Sequence, residues 1–321
     1  ITAVNAGLLG NGIDIRLNYY AGEQTPAGIA ATITAMADGA TNPDITDAIT
    51  AMGDAWYQVL VCPYTDTANL ALLTAELDDR FGGLRQIDGM AFNAFGGTAA
   101  ATDTYGGTQN DPHVSTMACG GSPTSSWIWA AVTAVIAAAS LSADPARPLQ
   151  TLALPGCLPP ADVDRFTFEE RDLMLHNGVS THTVQADGSV AIERLITNYQ
   201  TNANDIADTS YLNVNTLATL SYIRFATRSR ITTKFPRYKL AGDDIKIAPG
   251  QAIVTPSIIR AELVALAQEL QAGGIVEDLD QFKTDLVVEI NANDPDRVDV
   301  LSSPNLVNQL RIVAEQIQFI L

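Results

Sequence analysis

Apolar and polar positions along this chain fall into short blocks whose period switches between two and about 3.6. Ile13 to Tyr20 alternates and predicts a strand, preceded by a glycine turn at Gly7–Gly12. Pro26 to Ala37 fits a helix of short side chains, but Thr32, Ile33 and Thr34 suit a strand equally. Asp44 to Asp54 predicts a helix behind the turn Asn42-Pro43-Asp44, and Trp56 to Cys62 a strand. In Thr67 to Phe81, Leu70, Leu73 and Leu77 recur at helical spacing until Gly82-Gly83 stops the pattern. Gly89 to Phe95 and His113 to Cys119 predict strands, Ser125 to Leu141 a helix, and Leu149 to Leu154 another strand. Ala99–Asn110, rich in Gly and Thr, predicts a loop. Strands alternating with helices imply an α/β domain, a mostly parallel sheet covered on both faces. That domain is expected over residues 1–156, closing at Pro155-Gly156.

Pro159-Pro160 then opens a smaller α+β domain, expected over 157–321. Phe168 to Asn177 predicts a helix. Val179 to Val184 and Val190 to Tyr199 predict a hairpin through Ala186-Asp187-Gly188. Leu212 to Lys234 has the length of a helix ending before Pro236, with apolar residues on more than one face. Thr255-Pro256 is an N-cap and N1 pair for a helix striped by Ile259, Leu263, Leu266 and Leu270. Leu286 to Asn291 and Val298 to Leu301 predict strands. The chain ends in Arg311 to Leu321, where Val313, Ile317, Phe319 and Leu321 share one face of a strand-like segment with no turn after it.

Charge sharpens this picture. The chain carries a formal charge of −18, yet Arg224, Arg228, Arg230, Lys234, Arg237 and Lys239 stand within sixteen residues that hold no acid, so the remainder carries −24. Such an acidic chain disfavours nucleic acid as the main partner, since phosphate binding needs a basic face. The most apolar run, Trp127 to Leu141, is shorter than the roughly 20 residues of a membrane span, so it predicts a buried helix rather than membrane insertion. Ile1 opens no basic, then apolar, secretory leader. Cys62, Cys119 and Cys157 lack metal-ligand spacing and read as buried, reduced thiols.

Several runs resemble the contractile tail sheath proteins of Mu-like phages: ITDAITAMGDAWYQVLVCPYTDTANL, DPARPLQTLALPGC, DRFTFEERDLMLHNGVST, RLITNYQ, LSYIRFATRSRI with KFPRYKLA, IVTPSIIRAELVAL and the closing LVNQLRIVAEQIQFIL. The resemblance covers nearly the whole chain. It implies a structural subunit that polymerises helically around a tail tube and contracts to drive the tube through the host envelope, with no cofactor. The implied partners are other copies of the chain, the tube protein, the baseplate and the tail terminator. The implied location is the virion, after assembly in the host cytoplasm. Members of this family start well before the position matching Ile1, so the resemblance implies a chain lacking an N-terminal arm and part of the outer domain. It also implies that Arg311–Leu321 is a C-terminal arm adding a strand to a neighbour's sheet.

Candidate chemistry is sparse beside this. Gly7-Leu8-Leu9-Gly10-Asn11-Gly12 shares only its glycines with a phosphate loop, because a strand is expected next and no Lys-Ser/Thr pair follows. It is nevertheless the feature that an alternative, a small-molecule-binding α/β enzyme, would use. His113 and Cys119 share a strand face, but no third residue orients them, and Ser122 lacks the strand–Ser–helix elbow. His176, His182 and Asp172 lack a metal-site spacing, and His176 suits a helix C-terminus better. The basic cluster is the leading constellation. Its guanidinium groups suit oriented contacts with acidic surfaces of a neighbouring copy or the tube, against the plainer expectation of a solvated helix face with local ion pairs.

Overall fold

The computed structural model describes residues 1–18 and 22–318. It divides into two compact units, Ile1–Ser142 with Leu149–Val214, and Ala143–Pro148 with Asn215–Leu321.

The first unit is built on a five-stranded sheet ordered β1 (Val59–Val61), β2 (Met90–Phe95), β3 (Val114–Ala118), β4 (Val179–Val184), β5 (Val190–Arg194). The first four strands are parallel and β5 returns antiparallel to β4. Helix α1 (Thr46–Met52) precedes β1, and helices α2 (Thr67–Phe81), α3 (Ala99–Gly106), α4 (Ser126–Ala143) and α5 (Phe168–His176) connect the four parallel strands, as the alternating pattern predicts. Leu70, Leu73 and Leu77 of α2, Tyr105 of α3 and Met174 of α5 pack with Ala91, Val114 and Val179 from one sheet face. Alternation turns Ser115 and Ser180 to the other face. There Ser115 Oγ donates to Ile196 O at 2.6 Å and Ile196 N donates to Ser180 Oγ at 2.9 Å. The apolar α4 buries Trp129, Ala130, Thr133, Ala134 and Ala137 along one side. Arg80, fully buried on α2, is satisfied by Glu76 and by the carbonyls of Gly53 and Ala55.

Several expectations fail, each for a physical reason. The loop expected over Ala99–Asn110 begins with helix α3: Thr98 caps it by accepting from Ala101 N, and Tyr105 stacks on Phe95 at 4.4 Å. Gly106 is needed there, since a Cβ would meet Asn177 O at 2.4 Å. Leu149–Leu154 is not a strand, because Thr151 turns to φ 67°; the segment still bonds along β5 through Thr151 N to Ile192 O and Leu154 N to Val190 O. The strand expected to Tyr199 ends at Arg194, where residues 195–198 leave the β4–β5 ladder for the serine hydroxyls and for Val114 O. Among the described residues, 13–18 form no strand and Pro26–Ala37 is irregular, since neither segment finds a partner strand; Tyr19 and Tyr20 lie outside them.

The expected domain break at 156/157 differs from the observed division. The β4–β5 hairpin, turned at Gly188 with φ 83°, pairs with β3 and so stays with the first sheet. Residues 143–148 instead join the second unit, where Asn215 Nδ2 donates to Pro145 O and Arg147 O at 2.9 and 2.7 Å.

The second unit packs helix α6 (Val214–Lys234) with α7 (Pro256–Ala272) and a short α8 (Leu279–Asp285). Thr255 caps α7 ahead of Pro256, and Ile259, Leu263, Leu266 and Leu270 are buried as the stripe predicts. Three two-stranded ladders complete it: β6 (Lys239–Leu240) with β7 (Ile253–Val254), β8 (Val276–Glu277) with β11 (Asn305–Leu306), and β9 (Val287–Ile290) with β10 (Val298–Leu301).

Candidate assembly surfaces

The basic cluster lies along the last three turns of α6 and the segment beyond it. The structure divides its members. Arg230 Nη1 donates to Glu262 Oε1 at 3.0 Å, Arg230 also pairs with Glu269, and Lys234 pairs with Glu262. Both acids belong to α7, seven residues apart and therefore on one helix face. The Glu262 side chain is only 10% exposed because these cations cover it, not because it lies deep: theirs are 26% and 53% exposed. The hydrogen bond from Lys234, then that from Arg230, hold the Glu262 carboxyl below its ordinary range against the opposing effect of desolvation. Arg230 and Lys234 therefore clamp α6 to α7 within one chain. Arg224 and Arg228 are half-buried, Lys239 donates to Gln251 Oε1 at 3.3 Å, and Arg237 is exposed with no acidic partner among the described residues.

The terminal segment behaves differently. After β11 the described residues form no further strand, and Leu310, Ile312, Val313 and Ile317 are 72–84% exposed. Phe319 and Leu321, expected to share a face with Val313 and Ile317, lie outside the described residues.

Other candidates are absorbed by the fold. Residues Leu8–Gly12 form a 3-10 turn that closes on its own chain, with Asn11 bonded to both backbone groups of Gly39 and Leu8 N donating to Asn42 Oδ1. The apolar groove of the second unit is lined by Ile223, Leu263, Leu266, Leu270 and Phe282, whereas that glycine turn belongs to the first unit. All three cysteines are free and buried. Burial pushes the Cys119 thiol up to about 12, which keeps it protonated and a poor nucleophile. Ser122 Oγ is spent on Leu158 O and on accepting from Trp129 Nε1. His176 bonds back to Asp172 O at 2.8 Å, while His182 is buried against Trp129, donates to Ala118 O, and is pushed down to about 4 by desolvation. Among the described residues, the group whose ligand atoms converge is instead Asp78, Asp111 and His113, within 4.8 Å of one another.

The fold is one shared with solved sheath proteins. It is similar to the sheath tail protein of Listeria innocua, with a TM-score of 0.58 and 17% identity over 86% of this chain and 60% of that one. It is also similar to the sheath of an extracellular contractile injection system in its contracted state, with a TM-score of 0.50 and 14% identity over 77% of this chain and 68% of that one. The chain belongs to the phage tail sheath protein family: residues 38–198 match the family's central domain and residues 207–320 its C-terminal domain. It is 52% identical over 315 residues to the Mu-like prophage FluMu tail sheath protein of Haemophilus influenzae, covering 98% of this chain and 64% of that relative's length.

Proposed function

We propose that this chain is the structural subunit of a contractile phage tail sheath, packing helically with copies of itself around a tail tube. Contraction then shifts the subunits between two packings and drives the tube through the host envelope. The observation that carries this reading is the terminal segment, whose large apolar side chains stay exposed in the isolated chain. An exposed run of large apolar side chains is a liability in a monomer, and a natural use for it is to add a strand to a neighbour. The β9–β10 ladder has only two strands and so offers edges to such an arm. A contact of this kind repeats head to tail without closing, which is what a helical polymer requires.

The basic segment supports the same reading in a narrower form. Arg230 and Lys234 are engaged with α7, so contacts with acidic faces of other subunits or the tube fall first to Arg237 and Lys239, with Arg224 and Arg228 behind them. Baseplate and tail terminator are the partners at the two ends, and the virion is the location, reached after assembly in the host cytoplasm. The reading is tested by Val313→Asp with Ile317→Asp. Sedimentation should show loss of polymers while circular dichroism stays unchanged, and normal polymers from this variant would refute the role of the arm.

A further inference from the structure

Two carboxylates and an imidazole meet where α2 ends and β3 begins, remote in sequence from the basic segment and the terminal arm. Asp78 stands in the last turns of α2, and Asp111 and His113 lie on the segment that enters β3. The imidazole Nδ1 of His113 is 3.2 Å from Asp78 Oδ1 and 3.8 Å from Asp111 Oδ1. The surroundings hold these groups in place. Asp111 Oδ1 accepts from His113 N at 2.7 Å, the Phe81 ring lies 5.1 Å from the imidazole, and the His113 side chain is 4% exposed.

We propose that Asp78, Asp111 and His113 form a binding site for a divalent transition-metal ion of the zinc type, with water completing its coordination. Ligand bonds of about 2.0–2.2 Å in tetrahedral geometry place donor atoms about 3.4 Å apart. The observed 3.2 Å meets that spacing and the 3.8 Å approach meets it after a small closure. One nitrogen and two carboxylate oxygens suit zinc or cobalt better than calcium or magnesium, which prefer all-oxygen shells. The charge balance is compatible with this, since two neighbouring carboxylates, one with a side chain only 14% exposed, repel each other, and a cation between them relieves that repulsion as a proton on one of them would. Asp78, 64% exposed, leaves the site open to solvent on one side. A bound ion would tie the end of α2 to the start of β3, two elements that share the main core of the first unit.

The competing occupant is a proton on His113, which would make the cluster an ordinary ion pair. Calorimetric titration of the chelator-treated full chain with zinc chloride distinguishes the two. The expected result is saturable one-to-one binding, a rise in melting temperature with zinc, and visible absorption on cobalt substitution. Asp78→Asn, at an exposed position that leaves the core untouched, should weaken binding at least tenfold with an unchanged circular dichroism spectrum. Asp111→Asn should do the same if it folds. Absence of saturable binding, or equal binding by the folded Asp78→Asn variant, would overturn the proposal.

Discussion

Glu262→Gln probes the α6–α7 clamp while keeping the shape of the side chain. Two charge-assisted hydrogen bonds, from Arg230 and Lys234, become at best one weaker bond to a neutral amide. Fully exposed pairs are worth about 0–1 kcal/mol and breaking a deeply buried pair costs about 3–5 kcal/mol. Glu262 lies between these limits, shielded by cations that are themselves in contact with water, and charge-assisted bonds contribute about 1.5–3 kcal/mol. A loss of about 2 kcal/mol follows, softened because Arg230 keeps Glu269. Hydrogen exchange by mass spectrometry reads this locally, since every 1.4 kcal/mol is tenfold: amides of α6 and α7 should exchange about 30-fold faster. Glu269→Gln is the control. Its carboxylate is 61% exposed, so its removal should speed exchange by less than about fivefold. Unchanged exchange in Glu262→Gln, or a larger effect from Glu269→Gln, would refute the clamp and return Arg230 and Lys234 to the intersubunit surface.

Reversing Arg237 and Lys239 to Glu should leave the melting temperature within about 2 °C, given the small worth of exposed charges, yet impair polymer formation in sedimentation; normal polymers would exclude them from the interface. His182 sets a pH response: it is held neutral, with a folded value of about 4 against about 6.5 unfolded, so the unfolded chain binds the extra proton between these values and stability falls as pH drops through that window. By pH 5 this costs about 2 kcal/mol, and urea unfolding followed by Trp fluorescence should show that His182→Gln loses less stability than the parent between pH 7 and 5. Cys119→Ser should cost about 1–2 kcal/mol for a buried hydroxyl in an apolar site, while tail assembly persists; lost infectivity with normal stability and normal tails would argue for a chemical role.

Local signals carried most of the first unit. Helix α2 has the bounds its leucine spacing and Gly82-Gly83 predict, because the amphipathic stripe and the Asp66 cap act within one element. The β4–β5 hairpin was legible for the same reason, with Asp187 and Gly188 supplying the turn. What failed depended on partners far along the chain. Ile13 to Tyr20 has strand alternation, but alternation cannot supply a neighbouring strand, and the described part of it forms no strand. Helix α3 is stabilised by Phe95 and the close pass of Asn177, neither visible in a run of Gly and Thr. The basic cluster was plain in composition, yet its division was not. Glu262 and Glu269 sit on the helix striped by Ile259, Leu263, Leu266 and Leu270, and their seven-residue spacing was the available sign that one face of α7 could meet Arg230 and Lys234. Asp78 and His113 lie 35 residues apart in sequence, and only the pairing of β2 with β3 beside α2 brings such positions together.

The central claim is that many copies of this chain repeat helically in a contractile tail. Cryo-electron microscopy of tail particles from the phage that encodes it tests this most directly. The account predicts a sheath density in which the α/β unit and the helical unit recur at every subunit position, with residues 311–318 extended onto the sheet of an adjacent copy. A sheath built from another chain, or a terminal segment folded back on its own subunit, would contradict it.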